Sequence, residues 1–535
     1  MMIRSMLFIL ISSISILSLS SYTFGASTDQ GLKSSVNLTI LHLNDVYQIS
    51  PVETREIAGD GTTRITMMGG MSRLKTLIDN IRKGSEDLLI IHAGDMISPS
   101  LLSWKSGLKG RHMIHLLNLI GLDMATFGNH EFDFGCMELE KRVSESKFTW
   151  ISSNIDFPQK SDVFKGRTKS FEIKEINGIK IGFFGLTVGR GDIECPQYNG
   201  RIHFNDPIEI AGKTVSRLKN AGAAVIIGVT HLTLPVDQCI AKRNPEIDLI
   251  LGGHEHEPIN TNVNGSMITK TGSDARYLGK VRLAIKGDKK GPNVHADSEL
   301  IPVVEKTSPD PLISEVVNAY EAQVAELKKK IGSTDIELDA SELALRSKET
   351  NLGDYIADLV RVEADADIAI INSGGLRDDR IIEKGPITLA DVYSIHPFNN
   401  RVVSIEVIGK TILEALENGV SRWEGMEGRF PQISGLTFSF DPSLPPGSRI
   451  KDVSIQGMEL RPDKIYHLAT LDFIVKRGSE DGYSMLETKE FKSHRLLTDI
   501  IIEEIKRSGT ISPKTNKRIT NIRPDIEGVQ FQCPE

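Results

Sequence analysis

The sequence predicts a layered α/β fold divided between two domains, and three observations carry that expectation. At 535 residues the chain is longer than one ordinary core accommodates. Between residues 37 and 304, short β-branched or Leu/Ile-rich runs alternate with amphipathic helical stretches, as buried strands alternate with covering helices. From about residue 334 a second segment mixes helix and strand signals with Gly-rich turns.

The runs read as strands are "VNLTILHLN", "DLLIIHAG", "LDMATFGN", "TWISSN", "IKIGFFGL", "AAVIIGVTH" and "IDLILGGH". Between them, "GMSRLKTLIDNIRKG" and "PIEIAGKTVSRLKNAG" carry the apolar spacing of helices with one buried face. Residues 307–332 read as a single linker helix, opening after Pro and acidic residues and closing with three Lys before Gly332, as the helix dipole favours. The expected division is therefore 36–305, 307–332 and 333–525.

The start of the chain has Arg4, a Ser-diluted apolar run from Met6 to Leu19, then small residues. Thr23 and Gly25 suit a signal-peptidase site, so residues 1–25 read as a cleavable leader and the mature protein as periplasmic or secreted. No later stretch is long and apolar enough to span a bilayer, so no membrane anchor is expected in the mature form. A net charge of −8 argues against a nucleic-acid polymer as partner. Export permits disulfides among Cys136, Cys195, Cys239 and Cys533, with Cys195–Cys239 the pair to test first.

What the apolar runs end in sets the chemistry. "LHLND" ends in Asp45, "IHAGD" in Asp95 and "FGNHEFD" in Asn129, His130 and Asp133. "GVTH" ends in His231, and "LGGHEH" in His254 and His256. In open α/β sheets, loops beyond the carboxyl ends of strands converge on one crevice. Taken singly, a Gly-Asp or a lone His at a strand end is a turn or a cap. Five loops carrying Asp, Asp, Asn, His and His-x-His together form an oxygen and imidazole inventory. That inventory suits two divalent ions of the Zn, Mn, Fe or Co kind, roughly 3.5–4 Å apart, able to hold a phosphate and activate water.

In this order, "LND", "GD", "GNHEFD", "GVTH" and "GGHEH" resemble the calcineurin-type metallophosphoesterase signature. With "NSGGLRD", "HPFN" and "DGY" further on, nearly all of the mature chain resembles the exported 5′-nucleotidase/UDP-sugar hydrolase family. The resemblance implies a four-layer α/β/β/α metal domain, a helical connector and a second, mixed α/β substrate-binding domain. It implies Asp95 as the bridge between two metals, Asn129, His231 and His254 on one, and Asp45 and His256 on the other. His130 and Asp133 match the family's catalytic pair, an imidazole held by a carboxylate. Glu131 reads as a supporting or turn residue.

One position departs from the family pattern. Where its first motif has Asp-x-His, this chain has Asp45-Val46-Tyr47. A neutral phenol, with an ordinary pKa near ~10, is a poor ligand, so one ion of the pair is expected to be looser. His42 and His92 fall three residues before a ligand Asp, on the opposite strand face, and read as packed core histidines.

For the second domain the resemblance implies Arg346, Asn372, Arg377, Phe398, Asn399, Phe473 and Asp481 as substrate contacts. An aromatic pair would sandwich a base, guanidinium groups would hold phosphate and a carboxylate would accept from ribose hydroxyls. Lys348, Lys476 and Arg477 read as solvated charges. The expected activity is phosphate removal from nucleotides, 5′-nucleotides first. UDP-sugar pyrophosphatase and 2′,3′-cyclic phosphodiesterase activities are the nearest alternatives, and a non-catalytic nucleotide-binding protein with a weakened metal site is the remote one.

Overall fold

The structure, a computed structural model, describes residues 36–57, 63–189, 191–288, 291–524 and Cys533. The leader read over residues 1–25 lies outside the described residues. Strand Val36–Leu43 shows why the N-terminal runs are apolar throughout. Its Val36, Leu38 and Ile40 point into one buried cluster, while Leu41 and Leu43 point into another. Side chains alternate across a strand, so burial of both faces removes the polar positions.

Seven strands form one sheet in the order Gly291–Pro302, Tyr277–Asp288, Val36–Leu43, Asp87–Ala93, Met124–Thr126, Thr149–Ile151 and Thr168–Lys169. Six form a second sheet in the order Pro258–Val263, Ser266–Thr271, Leu249–Gly253, Val225–His231, Ile179–Thr187 and Phe171–Ile176. Ile40, Ile91, Ile181, Val229 and Leu251 fill the space between them. Helices Met71–Arg82, Arg111–Ile120 and Gly135–Glu145 cover the first sheet, and Pro207–Asn220 and Leu234–Arg243 the second. Helix Pro207–Asn220 opens on an Asp206 cap that accepts from the Glu209 amide at 2.8 Å. It buries Ala211, Thr214, Val215 and Leu218, the spacing of one helix face. The four-layer α/β/β/α arrangement is thus the observed one.

The C-terminal half packs a five-stranded sheet between two clusters. Its order is Pro431–Ser434, Ile368–Asn372, Ile465–Leu471, Arg401–Ile408 and Lys492–Leu496. Helices Asn351–Ala364 and Leu497–Ser508 lie on one face and Gly409–Val420 on the other.

Two expectations are corrected. The connector is not one helix over 307–332. An α-helix runs over Pro311–Glu321, a 3₁₀ segment over Ala322–Lys328, and a strand over Lys330–Thr334. Three residues per turn align Val324 with Leu327, and both pack on the N-terminal core. The Lys330 strand is then claimed by pairing with Gly385–Thr388. The disulfides are Cys136–Cys195 and Cys239–Cys533, not Cys195–Cys239. Helix Gly135–Glu145 packs on strand Ile193–Cys195 over the first sheet, whereas Cys239 lies on a helix covering the second.

Candidate active site

Parallel pairing brings the strand ends level: Leu43 lies opposite His92, and His231 opposite Gly253. Asp45 and Asp95 each follow their strand by two residues, His231 ends its strand and His254 follows by one. One oxygen or nitrogen from each of Asp45, Asp95 and His231 falls within 4.8 Å of the others. Close approach explains the glycines of the motifs. A Cβ on Gly128 would lie 2.7 Å from Asp95 Cγ, and one on Gly253 would lie 2.8 Å from His231 Nδ1.

The backbone here is strained and held. Asp45, Asp95 and His254 have φ of 54°, 59° and 84°, the left-handed region that side chains disfavour. Each such residue costs about 1–3 kcal/mol. Hydrogen bonds to buried carboxylates, about 1.5–3 kcal/mol each, are large enough to offset that. Glu131 accepts from the amides of Asp95 at 2.8 Å, Met96 at 2.7 Å and Ile97 at 3.2 Å, and from that of Gly128. It therefore ties the Gly-Asp loop to the Gly-Asn-His loop. Burial, with the neighbouring Asp95 carboxylate, pushes the Glu131 carboxyl up to about 7 against the pull of those amides. Asp45 Oδ2 accepts from the His254 amide at 2.8 Å and from Asn44 Nδ2 at 2.8 Å.

The donor set fits cations. His231 Nδ1 is engaged by the Ala93 carbonyl at 2.8 Å, so its buried Nε2 turns to Asp95 Oδ2 at 3.2 Å without a directed hydrogen bond. Tyr47 Oη, which has one proton to give, lies 2.8 Å from Asp45 Oδ1, 3.2 Å from Asp95 Oδ2 and 3.1 Å from His256 Nε2. Carboxylate, phenol and imidazole groups thus converge on one place, an arrangement that divalent ions satisfy. Burial lowers the affinity of His231 for a proton, but the Asp95 and Asp45 carboxylates outweigh it and push the imidazole up to about 9. His254 is driven down to about 3 by burial and by His231. His130 Nδ1 lies 2.8 Å from Asp133 Oδ2, and the His130 amide donates to Asp95 Oδ1 at 2.7 Å. Asn129 leads into that turn beside them.

The C-terminal half reaches this centre. The Arg377 guanidinium lies 6.0 Å from the centre of the Tyr47 ring, in the field of Asp95 and Asp133. Phe398 stands near-parallel to the His130 ring, 6.5 Å away at 20°, and edge-on to Trp104 at 5.5 Å. Asn399 accepts from Lys105 at 3.0 Å. Asn372 donates to Asp481 Oδ2 at 2.7 Å, and Arg346 pairs with Glu342. Phe473 packs on the second C-terminal cluster under the Arg477 guanidinium, 5.7 Å from its ring centre. A cavity of about 270 Å³ between the halves is lined by Tyr47, His256, Arg276, Arg377, Asp379 and Tyr393, among others.

Residues 38–258 match the calcineurin-like phosphoesterase family, and residues 330–488 match the 5′-nucleotidase C-terminal domain. This chain belongs to the 5′-nucleotidase family of calcineurin-like phosphoesterases. The trifunctional nucleotide phosphoesterase protein YfkN of Bacillus subtilis is 30% identical over 91% of this chain, which spans 35% of that protein. A snake venom 5′-nucleotidase of Naja atra is 27% identical over 91% of this chain and 98% of its own length. The solved 5′-nucleotidase precursor of Thermus thermophilus has a TM-score of 0.82 at 26% identity, covering 91% of this chain and 99% of that one. Membership makes this chain a metal-dependent phosphoester hydrolase.

Two supporting residues of this phosphoesterase, Asn44 and Lys270, were not among the predicted site residues. Asn44 bridges Asp45 to the Gly272 carbonyl at 2.6 Å, and its Oδ1 accepts from the Thr271 amide at 2.7 Å. Lys270, fully buried, donates to the Leu232 and Gly253 carbonyls at 2.6 and 2.9 Å and pairs with Asp237 at 2.8 Å. It pins the loops that follow His231 and precede His254. A Lys inside an apolar strand was the available signal. His42 and His92 are fully buried, and desolvation drives them down to about 3 and 4, as neutral core histidines. Lys476 and Arg477 pair locally with Asp472 and Glu480, at 2.9 and 2.7 Å.

Proposed function

We propose that this chain is an exported 5′-nucleotidase that works with two divalent ions. The carrying observation is the convergence of Asp45, Asp95 and His231, with His256 and the Arg377 guanidinium brought alongside. Asp95 would be shared, with Asn129, His231 and His254 on one side and Asp45, His256 and the Tyr47 hydroxyl on the other. Bound there, the ions would supply Lewis acidity at the phosphate and an activated water.

The chain's own groups do the rest. Asp133 orients the His130 imidazole, which would meet developing charge on a phosphoryl or leaving-group oxygen. Arg377 matches a phosphate with two parallel donors. Phe398 would stack a base, and the Asn372–Asp481 pair would meet ribose hydroxyls, with Arg346, Asn399 and Phe473 around them. Two disulfides fit an oxidising compartment, which supports export. Among the described residues no helix is long and apolar enough to cross a membrane.

The relative named a trifunctional nucleotide phosphoesterase favours a second reading, in which one site also accepts cyclic nucleotides or nucleotide sugars. Hydrolysis of AMP, UDP-glucose and 2′,3′-cyclic AMP, each with and without chelator, separates the two. AMP turnover that chelator abolishes is expected. Turnover of none of the three, with Mn or Zn in excess, would leave only a nucleotide-binding protein.

A further inference from the structure

His256 is contacted from both halves of the molecule. Its Nε2 faces the candidate metal centre, 3.5 Å from Asp45 Oδ1 and 3.1 Å from Tyr47 Oη. Its Nδ1 faces the C-terminal half, 2.6 Å from Glu342 Oε2 and 3.7 Å from Asp379 Oδ2. Glu342 opens a short helix, and its other oxygen pairs with Arg346 one turn on. Asp379 accepts from the Glu342 amide at 2.9 Å and lies 3.6 Å from Arg276, whose Nη2 reaches the His256 carbonyl at 3.3 Å. His256, Glu342, Asp379 and Arg276 thus close a ring across the boundary between the halves.

A carboxylate on the far nitrogen of a metal-binding imidazole fixes its tautomer, aims its lone pair and raises its basicity. Here the carboxylate comes from the other half, on helix Glu342–Leu345, which Arg346 caps.

We propose that Glu342 is a positioning residue coupling nucleotide in the C-terminal pocket to the ion held by His256. This rests on the reading of the site as a metal-dependent nucleotidase. Glu342 divides its two oxygens between Arg346 and His256. A nucleotide phosphate that draws on Arg346 leaves the carboxylate more fully to His256, so nucleotide tightens metal. Linkage requires metal to tighten nucleotide by the same factor.

The test measures Mn(II) affinity by electron paramagnetic resonance of the free ion, without turnover. Wild type, Glu342→Gln and Glu342→Asp are compared, with and without an AMP analogue whose 5′-phosphate is replaced by a methylene phosphonate. In wild type the analogue should tighten Mn(II) about 5- to 30-fold. Glu342→Gln, which keeps the shape but not the charge, should weaken Mn(II) about tenfold and bring the analogue's effect within about twofold. Glu342→Asp, one methylene shorter, should fall between them, and all three should share one far-ultraviolet circular dichroism spectrum. Mn(II) bound by wild type and Glu342→Gln with equal affinity and equal response to analogue overturns the coupling alone. No Mn(II) bound by wild type overturns the metal reading and the coupling with it.

Discussion

In the N-terminal half, Asp45, Asp95, His231 and His254 lie within two residues of a strand end, and main-chain bonds fix the loops that carry them. In the C-terminal half, Arg346, Arg377 and Asp481 stand on short helical turns or loops, and side chains hold one another in place. The first arrangement ties position to main-chain amides. The second depends on how the halves meet. Ions need ligands fixed to fractions of an ångström, whereas a nucleotide has to enter and leave, so the contrast suits the two tasks.

The largest expected effect lies in the backbone-held half. Asp95→Ala removes the carboxylate proposed to be shared between the ions and should lower kcat/KM for AMP by at least about 10³-fold, as several kcal/mol of charge stabilisation is lost. Bound metal, counted by mass spectrometry, should fall with it. Glu131→Gln tests whether the clamp matters in itself. Its amide places N–H against N–H, and urea unfolding should show a loss of about 2–4 kcal/mol. An unchanged midpoint would mean that the strained loops hold themselves.

A smaller effect is expected across the boundary. Arg377→Ala should raise KM for AMP about tenfold while metal content stays as in wild type. Loss of metal in that variant would erase the distinction between the halves. The smallest effect separates packed histidines from candidate ligands. His112 is fully buried on helix Arg111–Ile120, and burial, then Arg142, lowers it from 6.5 to about 3. The unfolded chain takes up a proton there below about pH 6.5 and the folded chain does not, so stability falls as pH falls from 6.5 towards 3. His112→Leu should remove about 1.4 kcal/mol per pH unit of that slope. At pH 7 this contribution is absent.

The same contrast decides what could be read in advance. The loop positions of Asp95, Asn129 and His254 were legible because each follows an apolar run and a glycine, and β-structure buried on both faces forces the loops to one edge. His42 and His92 were placed correctly by strand alternation. The rest depends on long-range packing. Lys270 and Asn44 act through carbonyls and amides that only the folded chain brings near them. Glu342 meets its imidazole partner only across the boundary between the halves. Cysteine spacing said nothing of which layer each thiol joins, so Cys195 was matched with Cys239 rather than with Cys136, the cysteine its own layer supplies. The connector was misjudged at 322–332, where Val324, Leu327 and strand pairing override helix propensity.

Anomalous diffraction from crystals soaked in Mn(II) reports most directly on whether the strand-end loops build a metal centre. Two peaks flanking the Asp95 carboxylate are predicted, one beside His231 and His254 and the other beside Asp45 and His256. Peaks elsewhere, or none near Asp95 at saturating Mn(II), would contradict it.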